Sequence, residues 1–188
     1  MIEWMKRRYI GWQIASGRRP RGRQSGVSPE AGGHVLRALT ELTIKHFRAD
    51  GSEVVEDRQV VHNRKFTTAA RDAIIDAFDL DVGYTLSNFR YHDCGTGVNA
   101  EANTDTVLQT AVTEARVEGT HDQPTSDVYR TVATITFANP YAVTEHGIFS
   151  QAAKPGGVLL DRTVHGAINV ASGDSIQYTF TFSMAAEA

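Results

Sequence analysis

The chain has 188 residues, 41% of them hydrophobic and 22% charged, the composition of an ordinary globular domain with a sizeable core. A lone cysteine, Cys94, excludes an intrachain disulfide and a thiolate zinc knuckle. The net charge of -3 conceals a split: residues 1–26 hold seven basic residues against Glu3 alone, a net +6, so the remainder carries 12 basic and 21 acidic residues, a net -9.

Residues 1–33 read as a basic, extended N-terminal arm. The opening "MIEWMKRRYIGWQ" has charges where a signal peptide has its apolar core, and no apolar run reaches the roughly 20 residues of a membrane span. The expectation is a protein made in the cytoplasm, with no membrane partner. Trp4, Tyr9, Ile10 and Trp12 stand among Lys6, Arg7 and Arg8, a mixture suited to docking on another chain. The following "ASGRRPRGRQSGVSPEAGG" offers almost nothing apolar to offset its ordering entropy, so a partner is expected to hold it. Arg18, Arg19, Arg21 and Arg23 suit nucleic-acid phosphates or an acidic protein surface, including that of a neighbouring copy. With no DNA-binding motif and no aromatic residue between Arg18 and Arg23, protein docking is the preferred reading and nucleic acid the lesser one.

Residues 34–188 read as one mainly β domain, an antiparallel β-sandwich of jelly-roll or Ig-like type. "LTELTIKHF" sets Leu42, Ile44 and His46 against Thr43, Lys45 and Phe47, Asp50-Gly51 marks a hairpin, and "VVEDRQVVH" returns. "FTTAARDAIIDAFDL" is the one expected helix, about 67–79, capped by Thr67 or Thr68, with Ala70, Ile74 and Phe78 on one face. After Tyr84 come strands and turns. "CGTGVNAEANTD" is a polar loop, "TVLQTAVTEARVEG" a strand and "THDQPTSD" a turn cluster. "VYRTVATITF" alternates Tyr129, Thr131, Ala133, Ile135 and Phe137 with Val128, Arg130, Val132, Thr134 and Thr136. "AVTEHGIFS", the turn "QAAKPGG", "VLLDRTV" and "DSIQYTFTFSM" complete the set. Short strands with turn-separated spacing argue for a sandwich or barrel.

The residues with chemical potential do not assemble into a reaction centre. Glu145 and His146 are neighbours in a strand and point to opposite faces, so they cannot cooperate directly. His92, Asp93 and Cys94 bring ligand and nucleophile types together, yet adjacency at a strand end supplies no base and no orienting group. Gly95 and Gly97 lack the Lys-Ser/Thr ending and following helix of a phosphate loop. The histidines show no metal-ligand spacing. The expectation is a non-enzymatic protein without cofactor or metal.

Across residues 86–184 the sequence resembles structural proteins of tailed bacteriophages. The shared features are a Gly-Thr-Gly loop at Gly95 to Gly97, an Ala-rich stretch, and Asp-Thr and Leu-x-Thr steps before an Ala-Arg strand. They continue with Thr144, Glu145, Gly147, Ile148 and Phe149, the Gly156-Gly157 turn, Leu160 and Arg162, and Gly173-Asp174 before the last strand. The resemblance implies a virion protein, preferably a capsid decoration or cement protein bound to the major capsid protein and self-associating. The alternatives are a tail, collar or fibre-associated protein and, less favoured, a carbohydrate- or receptor-binding module. Within it, Glu145 and Arg162 suit a cross-strand or interfacial ion pair. Gly147 suits close backbone approach, Gly156-Gly157 a hairpin bend, and Gly173-Asp174 the turn into the last strand.

Overall fold

The computed structural model of the chain describes residues 36–62, 65–78 and 85–186. The arm expected over residues 1–33, with every contact residue assigned to it, lies outside them. The described residues form two antiparallel sheets of five strands each. In chain order the elements are β1 (Leu36–Phe47), β2 (Glu53–His62), β3 (Lys65–Phe66), α1 (Thr68–Asp76), β4 (Tyr91–Gly95), β5 (Val117–Glu118), β6 (Thr120–Thr125), β7 (Val128–Thr136), β8 (Tyr141–Phe149), β9 (Leu159–Val170) and β10 (Ser175–Ala186). One sheet runs β2-β1-β10-β7-β6 and the other β3-β9-β8-β4-β5.

The two sheets share one core, built by the alternation that the sequence carries. Leu42 and Ile44 of β1, Ile135 of β7, and Ile176, Tyr178 and Phe180 of β10 meet Cys94 of β4, Val143 and Ile148 of β8, and Leu160 and Ile168 of β9. Each such side chain contributes about 1.5–3 kcal/mol on burial. Sandwich-like packing follows from these shared inner faces. β1 and β10 pair over their whole length, Leu36 opposite Ala186 and Phe47 opposite Ser175, which ties the first and last described strands into the centre of one sheet.

Local signals are realised where turn chemistry is specific. Gly51 takes φ 85° at the β1–β2 hairpin, and Asp50 Oδ1 accepts from Ser52 N at 2.9 Å. Thr67 caps α1, its Oγ1 accepting from Ala70 N at 3.0 Å while its hydroxyl donates to Leu159 O. Gly156, Gly157 and Gly173 all have positive φ, as their turns require.

Three expectations are corrected. The inward face of α1 is Ala70 and Ala73, whereas Phe78, expected to face inward with Ala70 and Ile74, is 84% exposed. The helix ends at Asp76 with Ala77 as its C-cap, so Phe78 lies past its last turn. Residues 106–119, expected as a strand, are mostly irregular, with only the two residues of β5 and a single bridge between Ala111 and Gly95. Conversely, Thr120–Thr125 is the edge strand β6, fully exposed, and the turn is confined to Ser126 and Asp127. Pro124 is tolerated because the strand has a free edge.

Candidate functional site

Strands β4 and β8 are buried on both faces, so their sequences do not alternate. Their inner face meets the other sheet, and their outer face is roofed by the irregular segments 96–116 and 150–158. A register shift between Val143 and Glu145 allows Thr144 and Glu145 both to face this roof. Thr144 Oγ1 donates to Gly97 O at 2.8 Å.

Glu145 is fully buried, and both carboxylate oxygens are committed. Oε1 accepts from Gly97 N at 3.0 Å and Thr110 N at 2.8 Å. Oε2 accepts from Gln109 N at 3.0 Å and Arg162 Nε at 2.8 Å. Arg162 also donates to Asp105 Oδ2 at 3.0 Å and Asn99 O at 3.3 Å. Burial opposes the arginine's charge, but hydrogen bonds to Glu145 and Asp105 outweigh it and raise its pKa. In register, Gly147 stands opposite Arg162 and Glu145 opposite Val164, so Glu145 and Arg162 are diagonal neighbours across β8 and β9.

The glycines expected at this site are brought to it. A Cβ at Gly95 or Gly97 would lie 2.5 Å from Glu145 Oε1, and one at Gly147 would lie 2.9 Å from Leu108 Cδ2. The first two glycines let the loop backbone reach the carboxylate. The third admits Leu108, which packs with Phe149 and Leu159 in a small outer core.

A second buried carboxylate, Asp93, holds the other half of the roof. Its Oδ2 accepts from Arg116 Nε at 3.1 Å, and its Oδ1 lies 2.6 Å from Lys154 Nζ. Arg116 Nη1 donates to the carbonyls of Gln151, Ala153 and Gly156 at 3.1, 3.0 and 2.7 Å. Its guanidinium carbon sits 3.4 Å from the Phe149 ring centroid, a cation–π contact. The Gly156-Gly157 bend is therefore closed around an arginine, which the sequence reading missed. The signal was an arginine, Arg116, in a stretch expected to be a strand, with no cross-strand partner assigned to it.

Asp174 stands at a different corner, apart from Glu145 and Arg162. It accepts from Ala49 N at 3.0 Å and Ala171 N at 2.9 Å, with His46 Nε2 and Arg48 Nη1 each 3.3 Å away. The Ala171 amide first, then His46, Ala49 and Arg48, hold its carboxyl below the usual range. Gly173 gives the bend, so this site fixes the β9–β10 turn to the β1–β2 hairpin.

The inner face of β4 and β8 carries a cluster that sequence spacing did not show. His92 Nδ1 lies 3.0 Å from His146 Nε2, and His92 Nε2 lies 3.2 Å from Thr131 Oγ1. The His146 ring lies 4.3 Å from that of Tyr178, centroid to centroid. Burial pushes the His92 pKa down to about 3 and that of His146 well below its usual value. It pushes the thiol of Cys94 and the phenol of Tyr178 up.

No family model, no curated protein and no solved structure matches the chain.

The chemistry of these sites is cohesive. Glu145 and Asp93 spend their lone pairs on loop amides and buried cations, and the Cys94 thiol is held protonated, the opposite of nucleophile activation. No group of three or more His, Cys, Asp or Glu side chains among the described residues is arranged to hold a metal ion. Among the described residues no helix is long and apolar enough to cross a membrane. At one end of the sandwich an open, mainly apolar groove of about 640 Å³ is walled by Ile74, Leu86, Phe89, Tyr129, Phe182 and Met184, with His121, Asp122 and Asp127 among its polar lining.

Proposed function

We propose that this chain is a non-enzymatic structural protein of a tailed-phage virion, in which a rigid β-sandwich decorates or cements the capsid and the basic arm attaches it. The observation that carries the non-catalytic reading is the complete internal commitment of Glu145, whose two oxygens take four hydrogen bonds from Gly97, Thr110, Gln109 and Arg162. A carboxylate so engaged stiffens a surface and has no lone pair left for a substrate. The virion assignment rests on the sequence likeness of residues 86–184, and the jelly-roll or Ig-like type on the short, turn-separated strands of the sequence. The charge division supports the arm's role: a segment of net +6 over residues 1–26 seeks an acidic surface, on the major capsid protein or on a neighbouring copy, and many modest contacts add through high effective concentration.

The test is quantitative mass spectrometry of purified particles. Copies in the same order as the shell protein support decoration; a handful per particle move the protein to tail, collar or fibre; complete absence removes the virion reading. Deleting residues 1–26 is expected to leave the sandwich folded and to lower its occupancy on particles, and unchanged occupancy would refute the role of the arm.

A second reading, a receptor- or carbohydrate-binding module, draws on the groove, where Phe89, Tyr129 and Phe182 supply aromatic walls beside Asp122 and Asp127. Glycan binding that is lost in Tyr129→Ala while the fold is retained would favour it over the capsid role.

A further inference from the structure

Three histidines on the inner face of one sheet are an unusual content for a hydrophobic core. His92 and His146 are fully buried and joined ring to ring at 3.0 Å, on adjacent strands whose register sets His92 opposite Ile148 and Cys94 opposite His146. A hydrogen bond between two imidazoles needs one nitrogen to donate and the other to accept, so neither of the bonded nitrogens can become a second donor without breaking the contact. The outer nitrogen of His92 meets Thr131 of the opposite sheet, and His146 Nδ1 has no hydrogen-bond partner among the described residues. With His146 Nε2 as the donor of that bond, His146 Nδ1 is a bare acceptor that the core tolerates, whereas protonating it would add a buried N–H and a buried charge together.

We propose that the His92–His146 pair is an acid-operated latch, which keeps the two sheets closed while both rings are neutral and opens the sandwich when they take up protons. The groups that face the pair are hydroxyls, a thiol, a third histidine and one carboxylate. On β4 the next inward group is the Cys94 thiol, and β10 presents the Tyr178 phenol. β7 presents the Thr131 hydroxyl, and Tyr129 two residues along gives its hydroxyl to Phe89 O. β9 presents His165, Thr163 and the Asp161 carboxylate, which accepts from Thr163 Oγ1 at 2.8 Å. On β1, His46 is held between Asp57 and Asp174 at the corner of the sandwich.

The direction of the effect is fixed by where protons bind. In the unfolded chain both histidines titrate near pH 6.5; in the closed sandwich burial holds His92 down to about 3 and His146 well below its usual value. Between those limits the unfolded state binds more protons, so stability is full above about pH 6.5 and falls as the solution is acidified. Each histidine raises the unfolding equilibrium constant about tenfold per pH unit in that window, and the pair about a hundredfold. Carboxylates enter only below roughly pH 5, so the interval from 6.5 to 5 isolates the histidines.

The experiment is urea unfolding of the full chain from pH 8 to pH 5, for wild type, His146→Phe and the double variant His92→Gln/His146→Phe. Phenylalanine keeps a ring against Tyr178. The expected result is that the steepness of the pH dependence falls about tenfold per pH unit in the single variant and further in the double one. An unchanged steepness would overturn the latch. Nitrogen-15 NMR of histidine-labelled wild type supplies an independent readout should the variants fail to fold. Both rings should show neutral, single-tautomer shifts at pH 5.5 in the folded protein, and a ring that titrates near 6.5 without loss of folded signals would refute the proposal.

Discussion

Replacing Glu145 by glutamine tests the central claim that one carboxylate holds the roof of the second sheet. The change preserves size and removes one acceptor. Whichever way the amide lies, its NH2 group faces two N–H donors: Gln109 N and Arg162 Nε on one side, or Gly97 N and Thr110 N on the other. Two buried donors thereby lose their acceptor, at about 1–3 kcal/mol each. Arg162 keeps Asp105 and Asn99 O but loses its fully buried counter-charge, and breaking one partner of such a pair costs about 3–5 kcal/mol in total. The expected loss is therefore about 3–5 kcal/mol, or a fall in Tm of roughly 6–20 °C for a domain of this size. Urea unfolding measures the global loss. Hydrogen exchange gives the local one, with the amides of Gly97, Gln109 and Thr110 expected to lose protection before those of β1 and β10. A double-mutant cycle with Arg162→Met should show coupling of at least about 1 kcal/mol. A loss under about 1 kcal/mol with those three amides still protected would refute the account of the loop.

Other outcomes follow from the neighbouring sites. Arg116→Leu leaves Asp93 with Lys154 alone and takes the donor from three carbonyls, at about 1–3 kcal/mol each, so about 3 kcal/mol or more should be lost and limited proteolysis should cut within residues 150–157; resistance to proteolysis would count against the clamp. Cys94, buried and with its thiol pKa raised, should react with a thiol reagent only in denaturant, and rapid labelling of the folded protein would contradict its placement. For Asp174 the folded pKa is depressed, so its contribution is present above the ordinary carboxylate value and vanishes as pH falls through the lowered one. Asp174→Asn should accordingly flatten the acid limb of stability below about pH 4, and an unaltered limb would show that its hydrogen bonds carry no weight.

Much of the fold is legible in residue patterns because period-two alternation and turn chemistry are local. Leu42, Ile44 and His46, the inner row of β7 and Ile176, Tyr178 and Phe180 all fall on the face the alternation assigns. Thr67 and Gly51 act as their residue types suggest. Alternation fails where a sheet is covered on both sides. In β8 the run from Val143 to Phe149 is buried throughout, and only the bulge and the roof explain why a glutamate sits in it. The second half of the roof, residues 106–116, has strand-like composition but takes its shape from Glu145, which is far away in sequence. Thr120–Thr125 reads as a turn because its residues are polar, yet an exposed edge strand needs nothing apolar. The Glu145–Arg162 pairing was suggested by residue type, whereas Asp93–Arg116–Lys154 and the histidine pair depend on register that no local pattern encodes.

The clamps also bear on how the molecule assembles. Glu145 is tied to positions 97, 109, 110 and 162, and Arg116 to 93, 151, 153 and 156, so neither loop can lock before β4, β8 and β9 have found one another. Closures over such sequence separation spend loop entropy before they return stability, so they are expected late in folding, after the main barrier. Contacts made that late leave the rate of folding almost untouched and act on the rate of unfolding. The buried charges would then work as a brake on escape from the native state, giving the sandwich persistence in time beyond what its equilibrium stability alone would provide.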